Sequence, residues 1–205
     1  MAPRSSWPRL AALLLLLAAV ALVLMAGIDQ NAQQWFQTWR FTPTGQGLAQ
    51  GAYWAGLGGT QAALLAGLTL WGWYRHQPRH RGAGLSGLAS VLVSGVLVQV
   101  CKHLAGRPRP RLALPASEYF GPTFQSDLLS FPSGHAATSF AVAAALSVFY
   151  PRMAWLFYAL AALIALGRVV SNAHYLSDVM AGAALGLAVG WPLAGLVARR
   201  AAGRP

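Results

Sequence analysis

Seven side chains in three separated blocks carry groups suited to one reaction type. They are Lys102 and Arg109, then Ser133 and His135, then Arg168, His174 and Asp178. Three cations stabilise charge on the equatorial oxygens of a phosphoryl group in transit. Of two histidines, one can attack phosphorus and the other can protonate the departing oxygen. His174 and Asp178 are four apart and share a face if a helix begins near His174. An aspartate at one ring nitrogen fixes the tautomer and leaves the other nitrogen as nucleophile or base. Read alone, Asp178 is equally an acid at a helix N-terminus, and Arg168 is equally an interfacial arginine with its head in water. Lys102 is the sole lysine and lies seven residues before Arg109, so the two point the same way if one helix carries both. Asp29, Glu118, Asp127 and Asp178 are the only acids and Cys101 the only cysteine. That leaves little material for paired-carboxylate chemistry, and none for a disulfide within the chain or a cysteine metal cluster. No metal is expected.

The stretch Phe131-Pro132-Ser133-Gly134-His135 precedes a long apolar run. Proline suits the first turn of a helix, and the serine hydroxyl can cap its free N–H groups. Glycine allows a ligand close to the backbone, and a helix start favours anions. The local reading is an anion site with a proton donor beside it. A plain helix cap with an incidental histidine fits the same five residues equally well.

These blocks must be positioned by membrane helices. Of 205 residues, 56% are hydrophobic and 9% charged, against about a quarter charged in soluble domains. The mean hydropathy is +0.48. Six spans follow in order: Ala11 to Gly27, Tyr53 to Tyr74, Gly84 to Leu104, His135 to Phe149, Met153 to Val170, and Asp178 to Ala198. The first also has the basic, apolar, small-residue order of a secretory signal, but is long for one. Ile28 to Gly51 is polar and aromatic, with Trp35, Phe36 and Trp39 on one face. It reads as an interfacial segment between the first two spans: a lid, a wall for lipid access, or an aromatic belt. The fold expected is all-α, a six-transmembrane-helix bundle forming a single domain over residues 1–205.

The net charge of +11 does not point to nucleic acid, because the charges lie in short runs between apolar spans, where they serve topology and lipid headgroups. With both termini cytoplasmic, nine cations lie inside and six outside: Arg40, Lys102, Arg107, Arg109, Arg111 and Arg168. Five of those six cluster at the ends of the third and fifth spans, against the orientation trend. The same topology brings all three blocks to one membrane face. His76 and His80 read as solvated loop residues. Arg107, Arg111 and His103 lie outside the three blocks, and the two arginines read as headgroup contacts or a solvated rim.

Lys102-x6-Arg109-Pro110, Pro132-Ser133-Gly134-His135 and Arg168-x5-His174-x3-Asp178 together resemble the signature of the type 2 phosphatidic acid phosphatase superfamily, which includes membrane lipid phosphatases and the vanadium haloperoxidases. The spans exclude a soluble haloperoxidase-like protein. The resemblance implies that His174 forms a phosphohistidine, Asp178 orients it and His135 is the general acid. Lys102, Arg109, Ser133, Gly134 and Arg168 would hold the phosphate. One position departs from the pattern, since Gly167 stands where the family usually has serine. The expectation is a multi-pass enzyme of a bacterial inner membrane with its site on the outer face. It would need no cofactor. It would remove a terminal phosphate from undecaprenyl diphosphate, phosphatidylglycerol phosphate, phosphatidic acid or a lipid A phosphate. A lipid-to-lipid phosphotransferase using the same histidine is the alternative. A non-catalytic anion or lipid transporter is disfavoured by the short loops and the lack of an inverted repeat.

Overall fold

The computed structural model describes residues 7–23 and 27–201. Those residues form eight α-helices and no strand: α1 (Trp7–Val23), α2 (Asp29–Arg40), α3 (Pro43–Gly56), α4 (Gly58–Tyr74), α5 (Pro78–Ala105), α6 (Gly134–Phe149), α7 (Ala154–Val170) and α8 (Leu176–Ala201). The protein is an all-α membrane protein. Three stretches, Pro78–Leu112, Pro151–Val170 and Leu176–Arg200, are long and apolar enough to cross a bilayer, and α6 is a shorter apolar helix. Large apolar side chains such as Leu64, Leu92, Leu163 and Leu196 stay exposed on the bundle surface, as suits a lipid solvent.

The α6 helix lies at the centre, packed on α5, α7 and α8. Its inner faces are alanine: Ala136, Ala137, Ala141, Ala143, Ala144 and Ala145 are all buried. Opposite them α8 carries Gly182, Gly186 and Gly190, one stripe at a spacing of four. A Cβ at Gly182 would sit 2.5 Å from the Ser133 carbonyl oxygen, and one at Gly190 would sit 2.8 Å from Ala144 Cβ. Without a hydrophobic drive between helices in lipid, such small-residue stripes let backbones approach closely. This seam holds the start of α6 against the start of α8.

Three expectations change. The second span is broken: Leu57 takes an extended conformation, φ −62° and ψ 129°, between α3 and α4. An apolar run through Gly56-Leu57-Gly58-Gly59 carries no hydropathy signal for that break, and the glycines make it cheap. The interfacial segment is two helices, because Pro43 starts a new one after Thr42, whose hydroxyl caps it through the Gly45 N–H at 3.0 Å. The basic loop after Tyr74 is short. The α5 helix begins at Pro78, so Arg79, His80 and Arg81 are helical. Arg79 Nε donates to the last α6 carbonyl, Phe149 O, at 2.7 Å, and His80 Nδ1 lies 2.5 Å from the Tyr150 hydroxyl.

Candidate active site

The three blocks meet at one end of the bundle. Lys102 lies in the last turn of α5, Gly134 opens α6, Arg168 lies in the last turn of α7, and Asp178 lies in the first turn of α8. His174 sits in the short loop before α8, not on it. The α5 helix stops at Gly106, whose left-handed conformation (φ 63°) ends it. Arg109 is therefore on extended chain beyond the helix. It is the loop fold, not two turns of one helix, that places it near Lys102. Arg109 NH1 donates to Ala173 O at 3.2 Å and Nε to Ser126 O at 3.1 Å, which ties it to the loop carrying His174.

Ser133 is the N-cap residue of α6 by backbone, but its hydroxyl caps nothing. Pro132 precedes the cap instead of filling the first turn. The Ser133 N–H donates to Asp178 O at 2.9 Å, joining the second block to the third. Its Oγ is buried and has no hydrogen-bond partner among the described residues, and the same holds for Arg168 Nε. Gly134 faces α5, where a Cβ would lie 3.9 Å from Lys102 Cε. The Lys102 ammonium donates to Leu129 O at 2.5 Å, within the loop before Ser133.

His174 is 3% exposed. Its Nδ1 lies 3.5 Å from Asp178 Oδ2 and 3.4 Å from Ser130 Oγ. The first contact is long for a hydrogen bond, as catalytic pairs often are before a ligand binds. Burial pushes the imidazole down to about 3, with the Asp178 carboxylate opposing and the Lys102 and Arg109 charges assisting. His174 is therefore neutral. Asp178 accepts, so Nδ1 carries the proton and Nε2 keeps its lone pair. His135 is half-buried. Its Nε2 donates to Tyr53 O at 3.2 Å and its ring stacks on Tyr53 at 5.9 Å. The Arg168 guanidinium lies over the other partner of that stack, 5.6 Å from the Tyr53 centroid. Lys102, Arg109 and Arg168 are all within electrostatic reach of His135.

Gly167 faces α3. A Cβ there would meet Ala52 and come within 2.9 Å of Leu48 O. A serine at this position would strike α3 before it could serve a ligand. The absence of that serine is thus matched by close α3–α7 packing.

Sequence reasoning missed four contributors. Arg107, read above as a headgroup contact or a rim residue, is fully buried and bonds Asp178 and Asp29. Ser130 donates to Asp178 Oδ2 at 2.6 Å, and Tyr53 supports His135. Asp29 carried one available signal: it is one of only four acids and lies at a membrane border, where ionisable groups are costly. Arg111 does sit on the rim, half-exposed and paired with Asp127.

An all-helical membrane bundle that gathers three cations and two histidines at one end defines a class: polytopic membrane proteins with a cationic cluster at one end of the bundle. The family model of the PAP2 superfamily matches residues 83–202. The chain belongs to that superfamily. It is 39% identical over 99 residues to a lipid A 1-phosphatase of Rhizobium johnstonii, covering 47% of this chain and 41% of that protein. It is 38% identical over 104 residues to a lipid A 1-phosphatase of Rhizobium etli, covering 50% of this chain and 44% of that one. The matched stretch thus spans less than half the length of these curated relatives. The fold is similar to that of a solved transmembrane PAP2-type phosphatidylglycerolphosphate phosphatase from Bacillus subtilis. The TM-score is 0.71 at 21% identity, covering 93% of this chain and 96% of that one.

Proposed function

We propose that this protein is a lipid phosphatase that releases inorganic phosphate through a phosphohistidine at His174. The observation that carries the reading is the pairing of a neutral, Asp178-backed His174 with two buried polar groups, Ser133 Oγ and Arg168 Nε, that have no hydrogen-bond partner among the described residues. Buried polar groups are almost always hydrogen-bonded, so orphans at the end of the bundle that holds His174 are best explained by a ligand's oxygens. Lys102, Arg109, Arg168, the Ser133 hydroxyl and the backbone at Gly134 hold the phosphate.

His174 Nε2 attacks phosphorus and the bond from phosphorus to the lipid oxygen breaks. His135 is the general acid: with its Nε2 proton on Tyr53 O, it takes a second proton from water at Nδ1 as the anionic phosphate binds and gives that proton to the leaving oxygen. The neutral ring then takes a proton from water as that water attacks phosphorus and the P–N bond breaks. Asp178 holds the Nδ1 proton of His174 while that ring is cationic.

A cavity of about 450 Å³ supports a lipid substrate. It is lined by Leu48, Ala55, Val142, Leu146, Leu160 and Ile164, and it reaches Ser139, one turn from His135. An apolar tail fits there beside the phosphate cluster. The two lipid A 1-phosphatase relatives favour a lipid A-type 1-phosphate over the other lipid phosphates. We assign α1, α4, α5, α6, α7 and α8 as six crossings of an inner membrane, with both termini cytoplasmic and the site on the outer face. Purified protein, with EDTA present, should release phosphate from lipid A 1-phosphate faster than from phosphatidic acid, phosphatidylglycerol phosphate or undecaprenyl diphosphate. His174→Ala should be inactive yet folded, and full residual activity of that variant would refute the nucleophile.

A further inference from the structure

Arg107 is the largest fully buried side chain among the described residues, and every nitrogen of its guanidinium is engaged. NH1 donates to Asp178 Oδ1 at 2.5 Å and to Ser177 Oγ at 2.8 Å. NH2 donates to Asp29 Oδ2 at 2.8 Å and to Ala116 O at 2.7 Å, and Nε donates to Ala116 O at 3.0 Å. The Tyr175 ring lies 4.5 Å from the guanidinium carbon and the Tyr119 ring 5.6 Å. Asp29 in turn accepts from the Ser177 N–H at 2.9 Å and from the Ser177 hydroxyl.

A buried ion triad is poor as a stability device, because desolvation offsets the attraction and apolar replacements often do as well. Its geometry suggests a different use. A carboxylate turns about its Cβ–Cγ bond unless both oxygens are held. Arg107 holds Oδ1 of Asp178, which leaves Oδ2 facing Ser130, the Tyr175 N–H and His174. Asp29 holds Arg107. Asp29 also opens α2, and Gln33, one turn later, donates to Asn172 Oδ1. Two α2 side chains therefore grip the chain on both sides of His174, at Asn172 in the loop and at Ser177 in the first turn of α8.

We infer that Arg107 and Asp29 are positioning residues that fix the Asp178 carboxylate against His174, and that α2 is the buttress which delivers Asp29. The inference rests on the His174 reading above and reassigns α2, whose lid and lipid-wall readings it replaces. Neither residue touches the phosphate, so the loss should fall on turnover and not on binding. Outer-shell partners of this kind cost about ten- to a hundredfold when removed from metal sites, and a similar range is expected here.

The test uses full-length protein in detergent, with activity expressed per folded molecule from the monomer peak in size exclusion. Arg107→Gln should lower kcat about a hundredfold and Asp29→Asn about tenfold. The KM and the Ki of inorganic phosphate should both stay within about threefold of wild type. Asp29→Asn keeps its shape and decides the matter if Arg107→Gln does not fold. Unchanged kcat per folded molecule, or a weakening of phosphate inhibition that matches the loss of kcat, would overturn the inference. His174→Ala separates the two levels. If it is inactive while the Arg107 and Asp29 variants turn over normally, only the relay fails. If it stays active, the His174 reading itself fails.

Discussion

The backbone N–H of Ser133 donates to the carbonyl oxygen of Asp178 at 2.9 Å, so the start of α6 and the start of α8 are locked together by main chain alone. The Ser133 side chain takes no part in that lock, and its hydroxyl has no hydrogen-bond partner among the described residues. The backbone of Ser133 thus serves the fold, while its side chain is left free for the phosphate-binding role proposed above. Ser133→Ala should leave thermal stability unchanged, because it removes no intramolecular hydrogen bond. It should weaken inhibition by inorganic phosphate roughly ten- to a hundredfold, since a hydrogen bond to a charged group is worth about 1.5–3 kcal/mol. Melting curves and phosphate inhibition constants on the same preparation check both halves.

Ser130 presents the opposite case. Its hydroxyl donates to Asp178 Oδ2 at 2.6 Å and sits 3.4 Å from His174 Nδ1. Ser130→Ala removes one of the donors that satisfy a fully buried carboxylate. It should destabilise the fold by about 1–3 kcal/mol and lower kcat, with KM unchanged. A variant that melts like wild type and turns over at the wild-type rate would show that the hydroxyl is incidental.

The meeting of the three blocks was readable because they stand at the ends of successive apolar runs, and hydropathy alone brings those ends to one end of the bundle. Helix boundaries followed wherever an apolar run had polar or proline ends. Span four, read as His135 to Phe149, is Gly134–Phe149, and span five, read as Met153 to Val170, is Ala154–Val170. What hydropathy could not carry was anything decided by tertiary contact. Leu57 breaks an unbroken apolar run. Arg107 looks like any basic residue at a span end, yet it is swallowed by two carboxylates from distant segments. The Lys102–Arg109 spacing suggested one helix, and Gly106 stops that helix short. The orienting shell of the site belongs to the packing, and no local pattern marks it.

Gly167 offers a test of packing against function. Its Cβ position is filled by Ala52 and lies 2.9 Å from Leu48 O. Gly167→Ser restores the residue usual in the family but forces α3 away from α7. Overpacking of this kind costs about 1–3 kcal/mol. The variant should melt lower than wild type without any gain in phosphate affinity. Tighter phosphate binding in the serine variant would show that α3 yields and that the hydroxyl reaches the site.

His174 sets a pH dependence of stability whose sign follows from its burial. In the unfolded chain a histidine titrates near 6.5, and in the fold burial pushes His174 down to about 3. The groups facing it are the Asp178 carboxylate and the Ser130 hydroxyl, with the Lys102 and Arg109 charges within electrostatic reach. Between those two values the unfolded chain binds a proton that the folded protein refuses. Stability therefore falls as pH drops from about 6.5 toward 3, by at most about 1.4 kcal/mol per pH unit from this one group. His174→Gln removes the titration and leaves the neighbouring groups in place. Unfolding followed in detergent from pH 7.5 to 4.5 should give a steeper acid loss for wild type than for the variant. Parallel curves would mean that His174 takes up its proton in the folded state, and the neutral nucleophile would then be lost across the same range.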